Sequence, residues 1–535
     1  MTSQAAETQD NGIRRHIPLL VILMLGLFLA ILNQTLLNVA MPHLMNEFGV
    51  SATTIQWLST GYMLVNGVLI PLSAFLIERF GTRILFLIAM FCFTIGTLVC
   101  GIAPNFSIML VGRIIQAIGG GVLQPLVMTI IFSIFPPEMR GRGMGIFGLA
   151  MMFAPAVGPT LSGWVIQNYD WRLMFYALVP FGVIIFAIAA FKLKNVFPPK
   201  QVRLDVIGSL LSIVGVASLL YGVSQAGSDG WGDPVVLLTI IIGLIGIVAF
   251  ILQQLRSERP LLDFRVFNHG IFSLANVINA VITVAMFTGM FLLPIFLQNL
   301  RGFTPLQSGL LLLPGALIML AMSPISGVLF DKVGPRPLAI VGMIITTITT
   351  FEFTRLTIDT SYSWILGVYI ARSFGMSLLM MPVMTAGMNQ LPKHLTSHGT
   401  AMTNTLRQVM GSLGISLVTT VYTNRTVFHS VNMSNEMNTA NPQFMHSFQS
   451  YVQSVAQSMH IPVEQAKTYA MQLLGGKMQI DANVMGINDA FFWSSILCVV
   501  GTFLSLFLRD VRKDKAKQKR EELPMLPSPK EAKSS

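Results

Sequence analysis

Charge is scarce in this chain. Of its 535 residues only 11% are Asp, Glu, Lys or Arg, where a water-soluble protein carries about a quarter. So few charged side chains cannot cover a water-facing surface, which excludes a soluble globular protein. Cysteine is nearly absent: Cys92, Cys100 and Cys498 sit singly in apolar runs, without metal-ligand or redox spacing. No P-loop is present, so nothing in the sequence encodes ATP drive. The G-x-G-x-x-G at Gly143–Gly148 enters an apolar helix from a turn, with no strand before it, and is not a nucleotide fingerprint. No nucleophile elbow and no paired acids occur in the apolar runs. His394 and His398 stand in a loop without further ligands, so neither an enzyme nor a metal site is indicated.

Apolar length is abundant. Hydrophobic residues make up 53% of the chain and the mean hydropathy is +0.68. A bilayer-crossing helix needs about 20 mostly apolar residues. Such runs start near Ile17, Thr54, Ile84, Ile108, Arg142, Arg172, Leu204, Val235, Ile271, Leu306, Leu338, Ser363, Thr400 and Ala490. The expectation is an all-α polytopic membrane protein with fourteen spans and both termini on one side. Basic residues set the side. With the N-terminus inside, 25 of the 34 Lys and Arg fall on inner segments, six on outer ones and three within spans. Nine of these lie in the tail from Arg509 onward, placed to meet an anionic cytoplasmic leaflet rather than nucleic acid.

One motif occurs twice, 253 residues apart: Glu78-Arg79-Phe80-Gly81-Thr82-Arg83 and Asp331-Lys332-Val333-Gly334-Pro335-Arg336. Arg113 in span four likewise has a counterpart in Arg372 of span twelve. Such duplication marks a transporter built from internal repeats. The copies stand eight spans apart instead of six, so spans seven and eight read as an inserted pair. The domain plan is then an N-terminal arm (1–16), a six-helix bundle (17–194), the inserted pair (195–257), a second six-helix bundle (258–508) and a basic tail (509–535). Within the second bundle an outer stretch, 423–489, is far longer than a loop. Phe444, Phe448, Tyr451, Val455 and Met459 predict one helix there, and a second short helix is expected from Pro462 to Leu474, before Gly475-Gly476.

These residues resemble the fourteen-span drug:proton antiporters of the major facilitator superfamily (EmrB/QacA type). The loop after span two resembles that family's motif A. Arg113-Ile114-Ile115-Gln116 resembles motif B, and Gly158-Pro159-Thr160-Leu161-Ser162-Gly163 resembles the antiporter motif C. Leu32-Asn33-Gln34-Thr35-Leu36-Leu37-Asn38 resembles the first-span signature, with Asn33 where an aspartate is usual, a version similar to Gram-positive exporters of the lincomycin-resistance type. The resemblance implies a bacterial plasma-membrane exporter of amphipathic small molecules, driven by protons as the coupling ion, with no other cofactor and acting as a monomer. Whether an adaptor protein is needed stays open, as does a cargo limited to one metabolite, lipid or signalling molecule.

The motifs suggest roles. Glu78 and Asp331 can accept hydrogen bonds at a helix N-terminus or pair with a neighbouring guanidinium, and Arg83 and Arg336 can bridge to the opposite bundle, forming a latch with Arg79, Gly81, Lys332 and Gly334. Gly145, Gly158, Pro159 and Gly163 thin span five for close packing. Arg113, Arg372 and Arg407 lie inside spans, where an isolated charge costs about 2.5–3.5 kcal/mol. The only acid well inside a span is Glu352, which either pairs with Arg355 at the outer interface or carries the proton together with Arg113. With no carboxylate in span one, Arg113 favours neutral, zwitterionic or weakly anionic cargo. Other cavity candidates are Asn33, Gln34 and Asn38 in span one, and Trp57, Tyr62 and Asn66 in span two. Gln116, Asn276 and Asn279 complete the polar set. Met376 and Met380 begin an i+4 methionine stripe that serves either packing or an adaptable lining.

Overall fold

The computed structural model describes residues 17–509 apart from 197–198, 200–201, 203, 258–259 and 438–441. The N-terminal arm and the tail beyond Arg509 lie outside the described residues. Among the described residues there are helices and no strands.

Twelve helical stretches are long and apolar enough to cross a membrane. One of them, within Ala52–Ile102, turns at Gly81 and supplies spans two and three. The fourteenth crossing lies in Thr396–Glu436, whose Ser, Thr, Asn and Gln content makes it too polar to qualify on hydropathy. Span one is Ile17–Phe48, span four Phe106–Ile134 and span five Arg140–Asn168; span six combines Leu173–Tyr176 with Leu178–Lys192. Spans seven and eight are Val206–Asp229 and Pro234–Arg256. Spans nine to twelve are Gly270–Ile295, Pro305–Val333, Pro335–Glu352 and Tyr362–Gln390; span fourteen ends Val463–Ser505. Short polar residues start the helices by accepting orphan backbone N–H groups. Asn105 caps span four, Asp233 precedes Pro234 at span eight, and Thr304 forms a capping box with Gln307 at span ten.

The repeated motif has one backbone geometry in both copies. Gly81 (φ 71°, ψ 175°) and Gly334 (φ 88°, ψ 178°) occupy a region open essentially to glycine alone. The glycine is what allows one span to turn directly into the next.

The two bundles meet along spans five and ten, where backbones nearly touch. A Cβ on Gly145 would lie 2.8 Å from the Ser323 carbonyl, and Ser323 Oγ donates to the Gly145 carbonyl at 2.8 Å. The inserted pair packs through its own glycines, Gly215 and Gly222 of span seven against span eight. Span seven also bridges the bundles: Tyr221 stacks on Trp57 of span two, and Trp231 just beyond it donates to Thr420 of span thirteen at 2.7 Å.

The outer stretch differs from expectation. Span thirteen continues outward as helix to Glu436, a separate helix covers Pro442–Met459, and Val463–Ser505 runs unbroken through Gly475-Gly476. Phe448, Val452 and Val455 pack on Ala466 and Ala470, while Tyr451 and Met459 are exposed. Two mid-helix glycines cost about 1 kcal/mol each. That is too little to break a helix held by packing on one side and by its membrane span on the other.

Candidate functional site

Hydrogen bonds between the bundles, among the described residues, lie in the half that carries the repeated motif. Thr129 and Thr400 hydroxyls are 2.6 Å apart, Gln124 Nε2 donates to Asn404 Oδ1 at 2.7 Å, and Arg140 Nη1 donates to Asn389 Oδ1 at 2.9 Å. Below them sits the repeated motif. Asp331 accepts from the backbone N–H groups of Gly141 and Arg142 at 3.0 and 3.1 Å, capping the start of span five across the seam. In the other copy Glu78 faces His398, in the first turn of the helix that becomes span thirteen. Asp331 thus sits on a helix start of the other half, and Glu78 is near enough to His398 of the other half to favour its protonated form.

The arginines of the motif do something else. Arg83 donates its backbone N–H to Asn195 at 2.8 Å and its guanidinium to the Ala190 carbonyl at 2.7 Å, anchoring the loop to the end of span six in its own bundle. Arg336 and Arg79 are exposed. The expected bridge by Arg83 and Arg336 is therefore corrected: the acids cross the seam, because the turn at glycine points them towards it.

His398 stands in the turn ahead of the crossing, accepting from the Asp263 N–H at 3.3 Å. Burial holds its imidazole below the ordinary histidine range; Glu78 and Asp263 pull upward without prevailing, and His394 adds to the lowering.

Arg113 is fully buried. Its Nη1 donates to Asn33 Oδ1 at 2.7 Å and Gln116 Oε1 at 2.6 Å, its Nε to the Leu58 carbonyl at 3.2 Å, and its guanidinium lies 4.3 Å from the Tyr62 ring centre. Gln116 is fixed in turn by Thr97. Arg372 donates to the Ala285 carbonyl and to Thr350 Oγ1, with Gly289 clearing its space. Neutral acceptors hold both charges. Arg113 keeps its Nη2 buried without a partner, while Arg407 makes no hydrogen bond, ion pair or ring contact among the described residues and its Nη1 is buried without a partner.

The other candidates divide. Gln34 and Asn279 are half-buried, and Asn66 and Asn276 each keep a buried, unpartnered Oδ1. The side chain of Asn38 lies outside the described residues. Trp57 faces the inserted pair, and Met376 and Met380 are buried in the apolar core with Met384 and Met388. Glu352 ends span eleven, 3.9 Å from Arg355 and one-third exposed. In span five, a Cβ on Gly158 would strike the Thr35 side chain, and one on Gly163 would press on Leu306 of span ten. Pro159 lies within the same helix.

Two polar groupings went unread in the sequence. One is the pair Gln124 and Asn404, announced only by Thr400, Asn404 and Arg407 sharing a helical face. The other is Asp489 in span fourteen, accepting from Arg425 Nε at 2.5 Å and lying 2.8 Å from His429 Nε2. Its signal is the i,i+4 spacing of Arg425 and His429.

Fourteen crossings among the described residues, a repeated motif and a seam between two bundles give the fold of a membrane transporter. The chain belongs to the Major Facilitator Superfamily, whose model matches residues 23–415. The uncharacterized MFS-type transporter YhcA of Bacillus subtilis is 67% identical over 99% of this chain and 100% of its own length. Lincomycin resistance protein LmrB of the same organism is 34% identical, covering 93% of this chain and 96% of that protein. A multidrug resistance protein B homolog of Mycobacterium tuberculosis is 33% identical over 74% of each. The proton:xylose symporter XylE shares the fold, with a TM-score of 0.57 at 14% identity over 92% of this chain and 95% of that one.

Proposed function

We propose that this chain is a proton-driven exporter of amphipathic small molecules in the bacterial cell membrane, working by alternating access with both termini in the cytoplasm. The observation that carries this reading is the pair of cross-seam acids, Asp331 on the start of span five and Glu78 opposite the start of span thirteen. Contacts of this kind belong to one conformation and break in the other. The relatives named for lincomycin and multidrug resistance support a drug-like cargo, and the inward bias of Lys and Arg supports the orientation.

Proton coupling is tested in proteoliposomes by lincomycin-dependent proton flux, comparing the parent with Glu352→Gln. Flux in the parent that collapses with the imposed pH gradient supports antiport. Lincomycin movement indifferent to the gradient would refute it. Coupling unchanged in Glu352→Gln would exclude Glu352 as the carrier and direct attention to Asp489.

A further inference from the structure

Among the described residues, Arg407 is the guanidinium within the crossings that makes no hydrogen bond, whereas Arg113 leaves only its Nη2 unpartnered. It lies eleven residues into the helix that begins at Thr396. Measured from Thr400, where the crossing starts, it is seven residues, or about 10 Å, into a hydrocarbon core about 30 Å thick. Asn404, three residues earlier on the same face, bonds across the seam to Gln124 of span four, so this face of span thirteen looks towards the opposite bundle. Arg407 stands just outward of that cytoplasmic closure. It is half-buried, without a carboxylate in ion-pair reach, and its Nη1 is buried without an acceptor. The polar neighbour one turn away is already committed, Asn404 accepting from Gln124.

A charge at this depth needs a partner. Arg113 and Arg372 have theirs in neutral acceptors of the protein, so they hold the scaffold and offer little to a ligand. Arg407 presents a planar fork suited to two oxygens of one acid group. We infer that Arg407 is the recognition residue for an oxyanion, and that the cargo class of this transporter is amphiphiles carrying a carboxylate or similar acid. The polar head is held at Arg407 and the apolar body lies along the seam. The inference rests on the exporter reading and narrows its cargo.

The test uses the full chain in nanodiscs of phosphatidylcholine, with dansyl-aminoundecanoic acid and its methyl ester as probes and tetraphenylphosphonium as a cationic amphiphile. The parent is expected to bind the acid on the order of tenfold more tightly than the ester, the worth of one charge-assisted contact. Arg407→Gln should bring that ratio close to one, and Arg407→Lys should keep part of it. A parent that binds acid and ester equally, or an Arg407→Gln variant that keeps the preference, overturns the inference. The parent ratio decides even where the variant fails to fold. Tight tetraphenylphosphonium binding without acid preference would sink only this inference, whereas no binding of any probe would sink the exporter reading with it. Phosphatidylglycerol added to the discs distinguishes a lipid phosphate: if it removes the acid preference, Arg407 is a lipid site and the cargo assignment falls.

Discussion

Asp331→Asn is the sharpest perturbation of the latch. The carboxylate accepts one backbone N–H on each oxygen, from Gly141 and Arg142, at the start of span five. An amide offers one acceptor oxygen, so one bond is lost and the other ceases to be charge-assisted. Each such bond is worth about 1.5–3 kcal/mol, and the charge at the helix start adds about 0.3–1 kcal/mol. The 3.9 Å approach to Arg142 Nε, whose side chain is half exposed, adds little. A net loss of about 2–3 kcal/mol is expected, which moves the balance away from the cytoplasm-closed state by roughly 30–150-fold. Spin labels at Arg79 and Lys393, both exposed at the motif-bearing end of opposite bundles, report the change by pulsed dipolar spectroscopy in a cysteine-free background. The distribution should gain a longer distance in Asp331→Asn, and Asp331→Glu should restore part of the shorter one. An unchanged distribution in Asp331→Asn would refute the claim that this contact holds the seam shut.

Two further outcomes follow from the site. Gly158→Leu should lower the yield of folded protein in size-exclusion chromatography, because any side chain there collides with Thr35; Arg113→Ala should fold better than Gly158→Leu yet abolish transport. His398, held below its ordinary value of 6.5 by burial, is neutral in the closed form and protonates more readily when exposed. Its contribution to stability is therefore present above pH 6.5 and lost as pH falls below it, so the thermal midpoint should drop on acidification and His398→Gln should flatten that drop.

Much of the architecture was legible because lipid enforces it. A run of apolar residues must be helical in the bilayer, since backbone groups find no other partners there. The doubled motif could be read as a repeat because its glycine is fixed by a backbone shape that only glycine tolerates. What the motif's charges touch was not legible. Arg83 reaches back to Ala190 and Asn195, and the acids reach across, a division set by the direction of the chain at Gly81 and Gly334. Trp57 looked like a cavity residue by its place in span two, but the docking of span seven turns it into a stacking surface. Span thirteen showed the reverse: its low hydropathy weakens it as a span while its polar face is what joins the bundles.

The three embedded arginines show why depth in the membrane is insufficient to mark a site. All three carry the same insertion cost in sequence, and all three read as functional on that ground. Coordinates separate them by their donors. Asn33, Gln116, Leu58 and Tyr62 surround Arg113, and Ala285 and Thr350 meet Arg372. A guanidinium tied by several hydrogen bonds to its own bundle stiffens that bundle, even where one nitrogen, Nη2 of Arg113, stays unpartnered. Replacing the usual aspartate by Asn33 keeps that role, since an amide oxygen still accepts from Arg113, while it leaves the charge itself unneutralised. The field of Arg113 and Arg372 then adds to that of Arg407, so an acidic head in the seam meets positive potential from both halves and a cation meets repulsion. Selectivity by charge would therefore come from the whole core, and its contact point from Arg407, which makes no hydrogen bond among the described residues.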